Sequence, residues 1–293
     1  MNSHALAKVA LRSAAIGYVL CLILLPLLLI GQKSLVNGLG QFVEDIRQPQ
    51  AAAALVLTLE AALVTTVINA MFGTLSAFVL VRYEFPGKWF LNALVDLPFA
   101  IPTLVVGLMI AALYGTTSSL GAWLKEGGIE VIYNTPGIIL AMLFVTMPFT
   151  IRAIQPVLME LEREQEEAAY TLGASAWTTF WKVTIPAMLP GLLTGVFLTF
   201  VRALGAFGSI VIVAGNIPMK TQVAAVYVYG EIESYNPQGA ASVSVVVLLI
   251  SFFALMLLER LTRQPGERLP TWRRRRPAKP DGPIRATTPL CER

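Results

Sequence analysis

The sequence predicts an all-α protein, a polytopic transmembrane helical bundle with six spans. Hydrophobic residues make up 56% of the 293 residues and charged residues only 14%, with a mean hydropathy of +0.67. Soluble domains carry about 25% charged residues. The apolar residues form runs of about 20, the length that crosses a bilayer as an α-helix. Lys and Arg are concentrated in alternate connecting segments, as in a chain that crosses the membrane repeatedly.

The six predicted spans follow one another along most of the chain. Lys8 and Arg12 precede the first apolar run, an arrangement that also occurs in signal peptides. The run is long, however, and no small-residue cleavage site follows Ile30, so we interpret it as a retained helix. The predicted spans are residues 14–30, 53–80, 91–114, 136–151, 191–214 and 239–258.

The distribution of basic residues predicts the orientation. With both termini in the cytoplasm, the inner segments before the tail hold seven Lys and Arg residues and the outer segments four. The positive-inside rule therefore favours this topology, in which the connection between spans four and five is cytoplasmic. The inner residues are Lys8, Arg12, Arg82, Lys88, Arg152, Arg163 and Lys182, and the outer ones are Lys33, Arg47, Lys125 and Lys220.

The composition changes at about residue 258. We predict a transmembrane domain over residues 1–258, with a cytoplasmic hairpin at about 156–190, and a basic, Pro-rich cytoplasmic tail over 259–293 that is disordered. Residues 273–276 are four consecutive arginines. They could contact anionic lipid headgroups, or they could be a solvated stretch that also fixes the topology.

The connection between spans four and five is amphipathic. Residues 160–172 have a helical pattern with Ala168 and Ala169 on one apolar face, and Gly173 follows as a left-handed helix cap. A second helical segment, 174–183, would expose Trp177 unless another surface covers it. Pro186 marks the return to the membrane, where the chain is expected to change direction. The hairpin could therefore dock on a partner, or it could be an ordinary loop packed on its own protein.

A motif in this hairpin resembles that of a known family. Glu167, Ala168 and Ala169 are followed after three residues by Gly173, and nine residues later by a Val-Thr-Ile-Pro run that ends at Pro186. This spacing is similar to the EAA loop of the MetI-like permeases of type I ABC importers, whose pattern is EAA-x3-G-x9-I-x-L-P. The resemblance implies that the hairpin, including Trp177, couples the chain to a separate ATPase subunit.

Further segments resemble the T-type permease subunits of sulfate/thiosulfate importers. They are residues 82–87, 96–103, 202–205 and 214–221, and the likeness covers about residues 14–260. Molybdate permeases share several of these features and remain the alternative. One position departs from the pattern, because Ala206 stands where the family commonly has Glu. If that Glu pairs with Arg202 in relatives, Arg202 is less neutralised here and more available to an anion. That Glu could equally pair with another subunit.

Three charged residues fall within the predicted spans, where charge is costly and often functional. Arg202, in the early half of span five, is the candidate for the substrate path; it could instead be a structural interface residue. Glu60 would repel an anion, so a salt bridge or a position at the outer interface is the better interpretation. Asp96 is expected to stabilise a helix start.

The resemblance implies a transport subunit and not an enzyme. The expected partners are a second, W-type permease, two ATPase subunits and an external sulfate-binding protein. The complex is expected in the bacterial inner membrane, and no nucleic-acid partner is expected. No cofactor is expected in this chain, because ATP and Mg would be bound by the partner subunits. Substrate would move by alternating access. The one histidine, His4, makes a His/Cys metal site implausible, and no metal site is predicted.

Two other function classes are weaker. Residues 215–221 superficially resemble a phosphate-binding loop, but they lack the second Gly and contain Pro218. An ATP-independent channel or secondary transporter should show ion-coupling carboxylates or a filter. Glu60 alone gives little support for that alternative, and such a protein would leave the hairpin unexplained.

Overall fold

The computed structural model describes residues 3–161 and 163–262, and these residues contain helices and no strand. Most of the predicted tail, residues 263–293 with its arginine run, lies outside the described residues. The helices are α1 Ser3–Ser34, α2 Gly38–Arg47, α3 Pro49–Arg82, α4 Lys88–Ala100, α5 Thr103–Tyr114, α6 Ser119–Glu126, α7 Thr135–Glu160, α8 Arg163–Thr171, α9 Ala176–Thr179, α10 Ile185–Leu204, α11 Gly208–Ala214, α12 Ala224–Glu233 and α13 Pro237–Thr262.

The fold is the predicted all-α membrane bundle. Five helical stretches of the described residues are long and apolar enough to cross a bilayer, and a bent pair, α4 with α5, makes up to six. The protein is therefore a multi-pass membrane protein. The five stretches are Ala10–Ser34, Pro49–Arg82, Thr135–Glu160, Ala176–Leu204 and Pro237–Thr262.

The third predicted span, 91–114, is broken in the structure. The axes of α4 and α5 differ by 112°. Ile101 is extended, at φ −84° and ψ 129°, and Pro102 follows it at φ −56° and ψ 133°. A proline disfavours the helical conformation of the residue before it, so the helix ends at Ala100 and restarts at Thr103.

The fifth span lies earlier in the chain than 191–214. A short π-helical segment, Phe180–Thr184, joins α9 to α10, so that Ala176–Leu204 is one continuous helix. The expectation that Pro186 changes the chain direction was therefore wrong. Proline removes a backbone donor and its ring clashes with the preceding turn. Here the bond from the Ile185 N–H reaches back five residues to the Phe180 carbonyl, which widens that turn.

Helices α3, α7 and α10 form the centre of the bundle. A Cβ atom placed on Gly73 of α3 or on Gly195 of α10 would lie 2.9 Å from atoms of Thr150 on α7. These glycines let the three backbones approach closely, as small residues do between membrane helices. Buried polar groups pair across the same contacts, with Asn69 donating to Thr146 at 2.8 Å and the Thr150 and Thr199 hydroxyls 2.8 Å apart.

Near the end of α3 opposite Arg82, polar contacts join α13 to α2 and α12 to α3. The Ser242 hydroxyl donates to the buried Asp45 carboxylate at 2.8 Å, and the Ala224 N–H donates to the Thr58 hydroxyl at 2.7 Å. Burial and the nearby Glu231 carboxylate raise the pKa of Tyr227 on α12 to about 12. This phenol therefore stays neutral over the physiological pH range.

Candidate functional site

Within the predicted hairpin region, α8 and α9 are joined by a turn of defined geometry. Helix α8 ends in a Schellman motif, in which the Ala174 N–H donates to the Ala169 carbonyl at 3.0 Å and the Gly173 N–H donates to the Tyr170 carbonyl at 2.9 Å. Gly173 has φ +85°, the left-handed conformation expected from the sequence. Two residues later, the Ser175 hydroxyl accepts from the Thr178 N–H at 3.2 Å and caps α9.

The residues of the predicted motif lie at the surface of the hairpin. Those that are exposed are Glu167, Ala168, Gly173, Trp177 and Pro186, and Ala169 is half-buried.

Large apolar side chains accompany the motif. Leu172 is 89% exposed and Trp177 71% exposed, and the Trp177 and Trp181 rings meet edge to face with centroids 5.6 Å apart. We call the exposed surface formed by Glu167, Ala168, Leu172, Gly173 and Trp177 the hairpin surface. Such a combination of small residues and exposed aromatic anchors is typical of a binding surface. Among the described residues, nothing covers the apolar side of the hairpin surface.

An ion pair at the base of the hairpin was not predicted from the sequence. Arg82 Nη2 donates to Glu166 Oε1 at 2.9 Å, and the side chains are only 10% and 15% exposed. The Thr184 hydroxyl donates to the same oxygen at 3.0 Å. The signal in the sequence is a run of acidic residues before the motif, and nothing in that run distinguishes the one that turns inward.

Asp96 has a different role from the predicted one. It lies within α4, away from its start, and accepts two bonds from Arg152 of α7, from Nε to Oδ1 at 2.7 Å and from Nη2 to Oδ2 at 2.6 Å. The Arg152 guanidinium also donates to Asn92 and Gln155. A bidentate pair of this kind holds two elements in a fixed orientation, so Asp96 joins α4 to α7.

Arg202, the predicted substrate-path residue, lies in the last turn of α10 and not in the early half of the span, because the helix ends at Leu204. It is exposed and makes no hydrogen bond or ion pair with the residues that the structure describes. Ala206, where the family commonly has Glu, is 6% exposed in the central apolar cluster. No carboxylate of this chain therefore neutralises Arg202 within the described residues.

Glu60 also has no hydrogen bond or ion pair with the residues that the structure describes. It is exposed on α3, on the face opposite the buried residues Thr58, Ala62, Thr65 and Asn69. The expected salt bridge is not seen among the described residues, and the expected position at the outer membrane interface stays a prediction. Glu60 therefore lies on the side of α3 that faces away from the described residues packed against this helix.

In the turn at residues 215–221, backbone N–H groups donate to acceptors of the turn itself. The N–H groups of Lys220, Thr221 and Gln222 all donate to the Ile217 carbonyl, at 2.9–3.2 Å. The Ile217 N–H in turn donates to the Thr221 hydroxyl at 3.3 Å. A phosphate cradle needs free backbone donors that point at the ligand, so this turn does not have that chemistry.

Comparison with known proteins finds similarity to membrane components of transport systems. The family described as binding-protein-dependent transport system inner membrane component matches residues 69–264. A relative from Nephroselmis olivacea, named as a probable sulfate transport system permease protein cysT, is 45% identical over 241 residues, which are 82% of this chain and 85% of that protein. The sulfate transport system permease protein CysT of Escherichia coli strain K12 is 40% identical over 252 residues, 86% of this chain and 91% of that protein.

Solved structures show the same fold at lower identity. A chain from a bacterial alginate ABC transporter in complex with an alginate pentasaccharide-bound periplasmic protein superposes with a TM-score of 0.73 and 18% identity, covering 89% of this chain and 96% of that chain. A chain from an amino acid ABC transporter superposes with a TM-score of 0.54 and 16% identity, over 76% of this chain and 97% of that one.

Proposed function

This chain belongs to the family of binding-protein-dependent transport system inner membrane components, and from that premise we propose that it is a permease subunit of an ATP-driven importer for sulfate and thiosulfate. The observation that supports sulfate as the substrate is the 40–45% identity, over most of both chains, to proteins named as sulfate transport permeases. Molybdate or another oxyanion remains the alternative substrate.

The proposed role of the chain is to form a substrate path and to connect it to ATP hydrolysis elsewhere. The chain makes and breaks no covalent bond. Two ATPase subunits bind ATP and Mg, a second, W-type permease completes the membrane part, and an external sulfate-binding protein delivers the anion. The named complex of an alginate transporter with a periplasmic protein supports this type of assembly. The complex lies in the bacterial inner membrane with both termini of this chain in the cytoplasm, as the Lys and Arg distribution favours.

The hairpin surface is the proposed contact with the ATPase. An exposed Trp177 and Leu172 next to small residues at Ala168 and Gly173 fit a cleft on another protein. ATP binding closes the ATPase pair and draws the two hairpins of the permease pair together, which opens the path outward. Hydrolysis and release return the path to the inward-open state, so the chain works by alternating access.

Arg202 is the proposed residue of this chain in the anion path. Its guanidinium is exposed and has no partner among the described residues, so its positive charge is available to a passing dianion. A charge at membrane depth is expensive unless it faces a partner or water. This proposal is supported by the position of Ala206, which supplies no neutralising carboxylate.

The test separates assembly from transport. Glu167→Lys and Gly173→Asp are expected to abolish ATPase association and sulfate uptake while the protein still inserts in the membrane. Co-purification of either variant with a full complement of ATPase would refute the docking role. For the substrate, uptake of radiolabelled sulfate by the complete complex is measured in competition with thiosulfate and with molybdate, and stronger competition by molybdate than by thiosulfate would favour the alternative.

A further inference from the structure

Two neighbouring glutamates of α8 have opposite environments. Glu167, in the EAA motif, is exposed on the hairpin surface, whereas Glu166 is half-buried on the inner side. Successive helical residues point about 100° apart, so one helix can carry an outward and an inward carboxylate side by side. The inner carboxylate is therefore placed to hold the hairpin, while the outer one is free for a partner.

One oxygen of Glu166 connects three parts of the fold. Glu166 Oε1 accepts from Arg82 Nη2 at 2.9 Å, and Arg82 is the last residue of α3. The same oxygen accepts from the Thr184 hydroxyl at 3.0 Å, and Thr184 directly precedes α10. The Arg82 guanidinium also lies 3.5 Å from the Leu161 carbonyl, just after α7.

An aromatic contact reinforces the same junction. Phe78, one helical turn before Arg82 on α3, meets Phe180 of the π-helical segment edge to face, with ring centroids 5.5 Å apart. Phe180 in turn contacts Trp177, whose ring belongs to the hairpin surface. The side chains that would meet a partner are thus one ring away from the end of a membrane helix.

We propose that Arg82, Glu166 and Thr184 form a clamp that makes the hairpin move as one body with α3 and α10. This inference rests on the proposed function, in which the hairpin receives force from an ATPase. Removal of one member of a nearly buried ion pair leaves an uncompensated charge, so such a pair resists separation better than an exposed one. Force on the hairpin surface therefore reaches both membrane helices through the clamp. Arg82, Glu166 and Thr184 are positioning residues and touch neither ATP nor the transported anion.

The decisive measurement is the number of sulfate ions taken up per ATP hydrolysed by the complete complex in lipid vesicles. Glu166→Gln keeps the size of the side chain and removes its charge, and Arg82→Gln removes the charge with a shorter polar side chain. Each variant is expected to retain the native amount of bound ATPase while uptake per ATP falls roughly fivefold or more, the range of a typical coupling between sites. A purely structural role would lower the yield of the complex and leave this ratio unchanged.

A double-variant comparison tests whether the pair acts as a unit. If Arg82 and Glu166 work through each other, the protein with both substitutions loses no more uptake per ATP than either single variant. Independent effects that multiply would overturn the clamp. Arg82→Lys, which keeps the charge, is expected to retain more coupling than Arg82→Gln.

The matched control is the ion pair between Lys88 and Glu84, 2.7 Å apart, whose Glu84 side chain is 82% exposed. Glu84→Gln removes a charge two residues beyond α3 without touching the hairpin, so uptake per ATP should stay native. If Glu166→Gln does not assemble, Thr184→Val removes one hydrogen bond to the carboxylate and leaves the ion pair. Unchanged uptake per ATP in that variant would contradict the proposal.

The outcomes also distinguish the clamp from the docking role on which it rests. Retention of ATPase by Glu167→Lys or Gly173→Asp would refute the docking role, whatever the clamp variants do. Loss of ATPase in those variants, together with native uptake per ATP in Glu166→Gln and Arg82→Gln, would refute the clamp alone.

Discussion

Gly173 offers the sharpest test of the hairpin surface, because adding a Cβ atom there changes only which backbone conformation is favoured. Gly173 has φ +85° and no atom of the described protein lies within 4 Å of a Cβ placed there. Gly173→Ala therefore introduces no clash, and the whole effect comes from the left-handed conformation. That conformation costs a residue with a Cβ roughly 1–2 kcal/mol.

This strain sets the size of the expected effect. If the ATPase binds only the hairpin with the left-handed turn, the apparent Kd rises in proportion to the loss of that conformation. A cost of about 1–2 kcal/mol corresponds to a factor of roughly 5–30. Gly173→Asn is expected to have a smaller effect, since Asn tolerates the left-handed region better than Ala does.

The assay is titration of the purified permease pair with its ATPase in detergent or nanodiscs. Gly38→Ala is the matched control, because Gly38 has φ +86° with no atom within 4 Å of a Cβ but lies at the start of α2, away from the hairpin. The reasoning fails if Gly173→Ala binds ATPase with native affinity. It also fails if Gly38→Ala weakens binding as much.

Three further substitutions test other parts of the structure. Arg202→Ala should lower sulfate uptake roughly tenfold, the effect of about 1.4 kcal/mol, and lower complex yield much less; native uptake would return Arg202 to a structural role. Trp177→Ala should weaken ATPase binding by about 2 kcal/mol or more if the ring is a hot spot, and equal binding in titration would remove it from the contact. Gly195→Val should lower the free energy of unfolding by about 1–3 kcal/mol through overpacking, seen as a lower Tm. Gly17→Val, in open space on α1, should have no comparable effect.

Much of the fold was predictable because a membrane helix is recognisable from a local run of apolar residues. Hydropathy over about 20 residues located the spans, and the left-handed cap at Gly173 followed from its place after an amphipathic helix. The errors in the predicted spans arose at prolines, because a proline can either break a helix or be accommodated within it. Pro102 breaks its span by 112°, whereas Pro186 is absorbed within one helix by a π turn. Periodicity does not decide between these outcomes, because neighbouring helices determine which backbone groups are satisfied.

The hairpin motif, with its spacing from Glu167 to Pro186, was determined by the sequence alone, since spacing along the chain is a local property. The motif residues were expected to face a partner, and five of the six are exposed. Only the tertiary structure decided what holds the hairpin in place. Glu166 and Arg82 are 84 positions apart, and their pairing depends on how α3 and α8 meet. The same holds for Arg152 with Asp96. Which charged residues meet depends on how the helices pack, and the order of residues along the chain does not specify that packing.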